Sequence, residues 1–169
     1  MLHLEKFDKV DASKSYAFLQ ELPSEAGFVN KYIGMSKKEF EQNALKERTE
    51  SERGINLKEG YVPDTYYFLV DGQEIVGLFK LRHYLNDFLR EGPGHIGYAI
   101  HPNYRRRGYA SKGLSMAVIE LKKIMDPNES EIYLSCNLSN TGSLKVQLNN
   151  GAYIHHKDDS HYYTRIRVR

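Results

Sequence analysis

A chain of 169 residues is long enough to bury one sizeable core and too short for two ordinary domains, so a single domain over residues 1–169 is expected. Lys+Arg 24 against Asp+Glu 22 leaves a formal net charge of +2, which does not point to nucleic acid and leaves room for a local anion site. The single Cys136 excludes an internal disulfide; with no hydrophobic segment after Met1 and no apolar run of membrane-spanning length, a reducing, cytoplasmic setting without a membrane partner is expected.

Leu2-His3-Leu4 alternates as a first strand, and Asp11 then caps a helix carrying Tyr16, Phe18 and Leu19. Ser36 followed by Glu39 reads as a capping box, and the charged run behind it, to Arg53, as a solvated helix. Gly54 to Pro63 is a long connection whose length suits a substrate-side loop. Thr65 to Val70 and Glu74 to Arg82 are strands of a hairpin turning at Asp71-Gly72. The segment His83 to Gly94 breaks the strand pattern before a short strand, His95 to Ile100, stopped by Pro102-Asn103. Gly92 to Gly97 spells G-x-G-x-x-G, but a strand follows instead of a helix, so a dinucleotide fingerprint is rejected.

A helix follows, with Ala110, Leu114, Ala117, Val118, Leu121 and Ile124 on one face, and Pro127-Asn128 closes it. Glu131 to Cys136 alternates as a strand, Thr141 to Leu148 is a short helix ended at Gly151, and Tyr153 to His156 with Tyr162 to Val168 form a final hairpin. The expected order is β-α-α-β-β-β-α-β-α-β-β, an α/β chain of α+β type whose mixed, mostly antiparallel sheet is flanked by helices.

Between the fourth strand and the long helix lies Arg105-Arg106-Arg107-Gly108-Tyr109-Ala110. The first N–H groups of a helix lack intrahelical acceptors and sit at the positive end of its dipole, so phosphate is their natural ligand. Three successive arginines at that end oppose the dipole and stabilise little unless an anion is bound. Gly108 and Ala110 leave room for the ligand to approach.

The pattern R-x-x-G-x-A after a strand and before a helix resembles the acyl-CoA motif of the GNAT superfamily of N-acetyltransferases. Asn137 to Ser143 leading to Asn149-Asn150-Gly151-Ala152 resembles the family's N-x-x-S…N-G-F segment, and the element order agrees. Leu81 to Leu89 and the Gly94 to Tyr98 strand look closest to one branch of predicted members. The resemblance, which runs from about Tyr66 to the C-terminus, implies acetyl-CoA as cosubstrate and transfer of its acetyl group to the primary amine of a small molecule or peptide. It implies cofactor contacts from Tyr98, Ala99, Ile100, the 105–110 loop (Arg105, Arg106, Arg107, Gly108, Tyr109, Ala110) and Asn140. The backbone N–H of Tyr98 would donate to the thioester carbonyl, an oxyanion-stabilising role, and that of Ile100 would pair with pantetheine.

His83 and His95 are candidate bases near the expected cleft, each also readable as a hydrogen-bonded structural histidine. Glu91 is a weaker candidate. Where many members place a tyrosine acid near the CoA sulfur, spacing from Asn140 puts Gln147; Tyr153 or Tyr109 could take that role, or solvent could. Cys136 reads as a small buried side chain, not an acyl carrier. Arg165, Arg167 and Arg169 read as the charged face of an edge strand. His3, His155 and His156 lack metal-ligand spacing, so no metal is expected. A non-catalytic acyl-CoA sensor is the competing reading, and an RNA-binding protein a third, disfavoured because the tyrosines are not paired with a basic face. The acceptor and the oligomeric state, a homodimer included, stay open.

Overall fold

The computed structural model describes residues 1–168, which leaves Arg169 outside the described residues. Strand β1 (Leu2–Lys6) precedes helix α1 (Ala12–Glu21), whose first turn is closed by the Asp11 carboxylate accepting from the N–H groups of Ser13 and Lys14 at 3.0 Å each. Three consecutive helical segments, Lys37–Glu39, Phe40–Ala44 and Leu45–Arg53, form α2; the capping box at Ser36 and Glu39 is present, and Gly54 ends the helix in the left-handed region. The middle segment is a π-type turn.

This helix is not merely a solvated face. Phe40, Ala44, Arg48 and Ser51 are all buried, and their spacing of four, four and three residues draws one stripe along the helix. The charge of Arg48 conceals that stripe in the sequence.

Strands β2 (Asp64–Asp71) and β3 (Glu74–Arg82) form the expected hairpin, but its loop is Gly72-Gln73, one residue later than the Asp-Gly pair suggests. A register shift between Leu69 and Val70 absorbs the difference. A short helix α3 (Asp87–Glu91), capped by Asn86, then precedes β4 (Ile96–Ile100). Helix α4 (Tyr109–Ile124), strand β5 (Glu131–Asn137), helix α5 (Thr141–Asn149) and strands β6 (Tyr153–Lys157) and β7 (His161–Arg167) complete the chain. The order is the expected one with α3 added.

The sheet is split. One half runs β1-β2-β3-β4 and the other β5-β7-β6, all ladders antiparallel. Helix α4 packs against the first half through Leu114, Ala117 and Leu121, joining Phe79, Leu81, Ile132 and Leu134 in one core. On the opposite face Phe7, Phe18, Tyr32, Phe40, Tyr66 and Phe68 make a second, aromatic core beneath α1 and α2. Among the described residues β4 and β5 are joined at one point, where His95, just before β4, donates its N–H to Tyr133 O in β5 (2.8 Å) and Tyr133 returns its N–H to His95 Nδ1 (2.9 Å). Beyond that vertex they splay apart.

Candidate active site

The splay opens into a cleft of about 1360 Å³, larger than a single small-ligand pocket and so able to hold two reactants. One wall is the open edge of β4. Arg82 N–H bonds His95 O and His101 N–H bonds Val76 O at the two ends of the β3–β4 pair, so by antiparallel alternation Gly97 and Ala99 exchange bonds with β3 while Ile96, Tyr98 and Ile100 turn their peptide groups outward. Ile100 O is taken by Arg105 Nε at 3.0 Å. The Tyr98 N–H points to the cleft.

The second wall is the start of α4. Gly108 lies at φ +80° as its N-cap, no side chain caps the helix, and the first intrahelical bond runs from Lys112 N–H to Gly108 O. The N–H groups of Tyr109, Ala110 and Ser111 are therefore unpaired within the helix. Arg106 also has positive φ, +61°; backbone turned this way twice within three residues forms a concavity of N–H groups suited to anions. A Cβ on Gly108 would meet nothing within 4 Å, so the space before these donors is open. Together they fit a pyrophosphate at the helix start and a chain laid along the β4 edge.

The three arginines separate. Arg106 lines the cleft. Arg105 lines it too, held by Ile100 O and by an ion pair with Glu25. Arg107 does not; its guanidinium sits 5.6 Å from the Tyr104 ring centre. Tyr109 borders the cleft but spends its hydroxyl on Asp71 Oδ2 at 2.7 Å. Asn140 lines the far wall and caps α5, accepting from Ser143 N–H at 3.1 Å. Asn150 Nδ2 donates to Ser111 O and to Val146 O, which ties α5 to the start of α4.

Three of the expected catalytic side chains are elsewhere. His95 is 0% exposed, with Nδ1 committed to Tyr133 N–H and Nε2 buried without a partner; burial pushes it down to about 4, so it is a neutral wedge between the sheets. His83 bonds Thr65 Oγ1 at 2.8 Å and lines a separate small hollow with Lys6, Glu52 and Ile124. Tyr153 points its hydroxyl at Glu131 Oε1, 2.5 Å away, outside the cleft. Glu91 is exposed at the end of α3.

Gln147 is fully buried: its Nε2 donates to Ser135 O at 3.1 Å and its Oε1 accepts from Thr164 Oγ1 at 2.7 Å. It fastens α5 to β5 and β7. A phenolic hydroxyl on that side of the cleft is instead that of Tyr98, whose ring stacks on Phe79 and whose Oη lies 2.7 Å from Ser143 Oγ. Burial raises its pKa, so it keeps its proton. Cys136 is buried as expected, its thiol pushed up by desolvation, although it also borders the cleft.

Of the remaining lining, the floor was not anticipated as a site, whereas the Gly54 to Pro63 connection at its rim was read as a substrate-side loop. Asp64, Tyr66, Lys80 and Arg82 form a floor on the other face of β2 and β3, with Gly60, Tyr61 and Phe88 from the long connection and α3 at its rim. Asn86 Nδ2 donates to Gly60 O at 2.9 Å and joins those two rims. A signal was present in β3, where Lys80 and Arg82 share a face of a strand that is apolar and buried from Ile75 to Phe79. Among the described residues no cluster of metal-ligating side chains occurs, and no helix is long and apolar enough to cross a membrane.

The sequence matches the family model of the acetyltransferase (GNAT) domain over residues 2–152. No curated protein matches it in sequence. Among solved structures it is similar to a ribosomal-protein-S5-alanine acetyltransferase from Vibrio fischeri (15% identity, 98% of this chain and 91% of that one, TM-score 0.65). It is also similar to a spermidine N-acetyltransferase from Vibrio cholerae in complex with CoA and spermine (15%, 98% and 95%, 0.63). A third is the N-acetyltransferase PseH from Campylobacter jejuni in complex with acetyl coenzyme A (15%, 100% and 100%, 0.59). At these identities the likeness is one of fold.

Proposed function

Because the chain belongs to the GNAT family of acetyltransferases, we propose that it transfers the acetyl group of acetyl-CoA directly to a primary amine of a small molecule or peptide. The observation that carries this reading is the uncapped start of α4 beside the open edge of β4 in one cleft. Acetyl-CoA, when bound, supplies an activated acyl group on a phosphate-bearing handle. The N–H groups of Tyr109, Ala110 and Ser111, with Arg106, would hold its phosphates. The outward N–H of Tyr98 would donate to the thioester carbonyl and meet the charge that develops there. A C–N bond forms as the C–S bond breaks, and the proton lost by nitrogen balances the one gained by sulfur.

Tyr98 Oη, against Ser143, is the group best placed to give that proton. Cys136 takes no covalent part, since burial pushes its thiol up and away from the nucleophilic thiolate form. Holding both reactants in one cleft supplies much of the remaining acceleration.

The test is free-thiol release from acetyl-CoA across a panel of amines, paired with calorimetry of acetyl-CoA binding. Gly108→Val should weaken binding about tenfold or more, because the β-branched side chain both crowds the ligand's approach and strains the left-handed backbone, at φ +80°, that aims these donors. Unchanged binding in that variant would remove the helix start from the site, and binding without turnover for any amine would favour a sensor over an enzyme.

A further inference from the structure

The half of the cleft away from α4 is cationic in an unbalanced way. Its floor is set by cross-strand pairing, which puts Asp64 opposite Arg82 and Tyr66 opposite Lys80. The only carboxylate of that floor is already engaged: Asp64 Oδ1 accepts from Arg48 Nη1 at 2.9 Å and from Ser51 Oγ at 2.6 Å. Arg48 is further held by Glu47 at 3.1 Å and by the face of Tyr66, 3.9 Å from its ring centre. Lys31, at the margin, is paired with Glu47. Glu25, across the cleft, is paired with Arg105.

Arg82 and Lys80 are left over. Among the described residues neither has a carboxylate within 4 Å. Arg82 Nη1 donates to the backbone oxygen of Gly94 at 3.0 Å, and Lys80 Nζ donates to that of Val29 above the Phe28 ring. Half-burying two cations with no carboxylate paired to them carries a desolvation cost that an arriving anion would offset. The strain shows in both: burial first, then each other's charge and Arg48, push Lys80 down to about 7, and burial lowers Arg82. Gly97, paired with Lys80, adds no side chain, and a Cβ there would meet nothing within 4 Å, so the space beside Lys80 is open.

We infer that the acceptor amine carries an anionic group, a carboxylate or a phosphate, and that Arg82, with Lys80 beside it, is the specificity-determining anchor for that group. The inference rests on the N-acetyltransferase reading and names its substrate class. Register sets the scale. Lys80 is paired with Gly97, the residue before Tyr98; with strands about 4.8 Å apart and a rise of about 3.4 Å per residue, the anchor and the Tyr98 N–H can be spanned by one small molecule or one chain terminus. The planar fork of Arg82 suits a carboxylate or phosphate. A polyamine, cationic along its length, would meet Arg82, Lys80 and Arg48, with the floor's carboxylate, Asp64, already paired with Arg48. Tyr61 and Phe88, 62% and 73% exposed at the rim, offer an apolar surface for the rest of the acceptor.

The experiment compares matched amines at saturating acetyl-CoA: phenylalanine against phenylalaninamide, phosphoethanolamine against ethanolamine, and spermidine. The charged member of one pair should be preferred in kcat/KM by about tenfold or more, the worth of one charge-assisted contact, and which pair responds distinguishes carboxylate from phosphate. Arg82→Gln should erase the preference through KM and leave acetyl-CoA affinity unchanged, with Arg82→Lys restoring part of it. Since Arg82 also holds Gly94 O, Lys80→Gln serves as a second variant, expected to reduce the same preference. In parallel, CoA-saturated protein is titrated with N-acetylphenylalanine, N-acetylphosphoethanolamine and their neutral counterparts, which reads anion preference without turnover. Preference for neutral or cationic amines, or an equal loss on both members of a pair in Arg82→Gln, overturns the anchor. Anion-selective product binding with no thiol release upholds the anchor and overturns only the transferase reading.

Discussion

Tyr98 brings two functions to one residue, because its backbone faces the cleft from the β4 edge while its ring crosses to Ser143 on α5. The two can be separated by substitution. Tyr98→Phe keeps the N–H and removes the hydroxyl, so kcat should fall by about 10²–10⁴-fold with acetyl-CoA binding nearly unchanged, if the hydroxyl is the acid. Tyr153→Phe should be silent, because that hydroxyl is outside the cleft on Glu131; a kcat loss in Tyr153→Phe with none in Tyr98→Phe would reverse the assignment. His95 makes a different residue-scale prediction. Its folded pKa of about 4 lies below the ordinary histidine value of about 6.5. As pH drops from about 6.5 to about 4 the unfolded chain takes up a proton that the folded chain refuses, so stability falls through that window and the loss is complete below it. His95→Asn, whose amide oxygen can still accept from Tyr133 N–H, should show a shallower fall of Tm between pH 7 and 4 than the parent chain. Parallel curves would mean that His95 does not carry that acid sensitivity. The places of Gly108, Arg105 and Arg106 at the cleft were legible in the sequence because local chemistry names them, whereas that of Arg107, turned to the Tyr104 ring, and the commitments of His95, His83 and Gln147 were not, because each is decided by a partner elsewhere in the fold.

At the scale of elements, the order of strands and helices was readable from periodicity and punctuation, whereas the places where elements meet were not. The hairpin loop slipped by one residue because the bulge at Leu69 and Val70 changes the count. Helix α2 concealed its buried stripe because Arg48 is a core residue through Asp64 and the Tyr66 ring. The β4–β5 vertex rests on Gly94, at φ +71°, where an added Cβ would stand 2.2 Å from Tyr133 O. Gly94→Ala should therefore destabilise by about 1–3 kcal/mol or more through overpacking and backbone strain together. Gly97→Ala, three residues on with open space around it, should leave thermal stability almost unchanged. Equal melting temperatures for the two variants would show that the vertex does not depend on close approach at Gly94.

For the molecule as a whole, the split sheet puts the reactants where the two halves part. The halves are bridged by the His95–Tyr133 bonds at the vertex and by the α4–α5 contact through Asn150 at the other end. A ligand lying between them adds a further bridge, made only in the folded state. CoA at about 100 times its Kd should then stabilise the fold by about 2.7 kcal/mol, which for a chain of this length corresponds to a rise in Tm of about 5–10 °C. Hydrogen exchange locates that gain. If the ligand spans the splay, amides of Ile96–Ile100 and of the first turn of α4 should gain protection, and those of Glu131–Asn137 on the facing strand should gain it too, because opening either half would release the bridge. Protection confined to the first turn of α4, with β4 and β5 unchanged, would mean that the ligand is held by its phosphates alone and that the splayed strands do not close around the thioester.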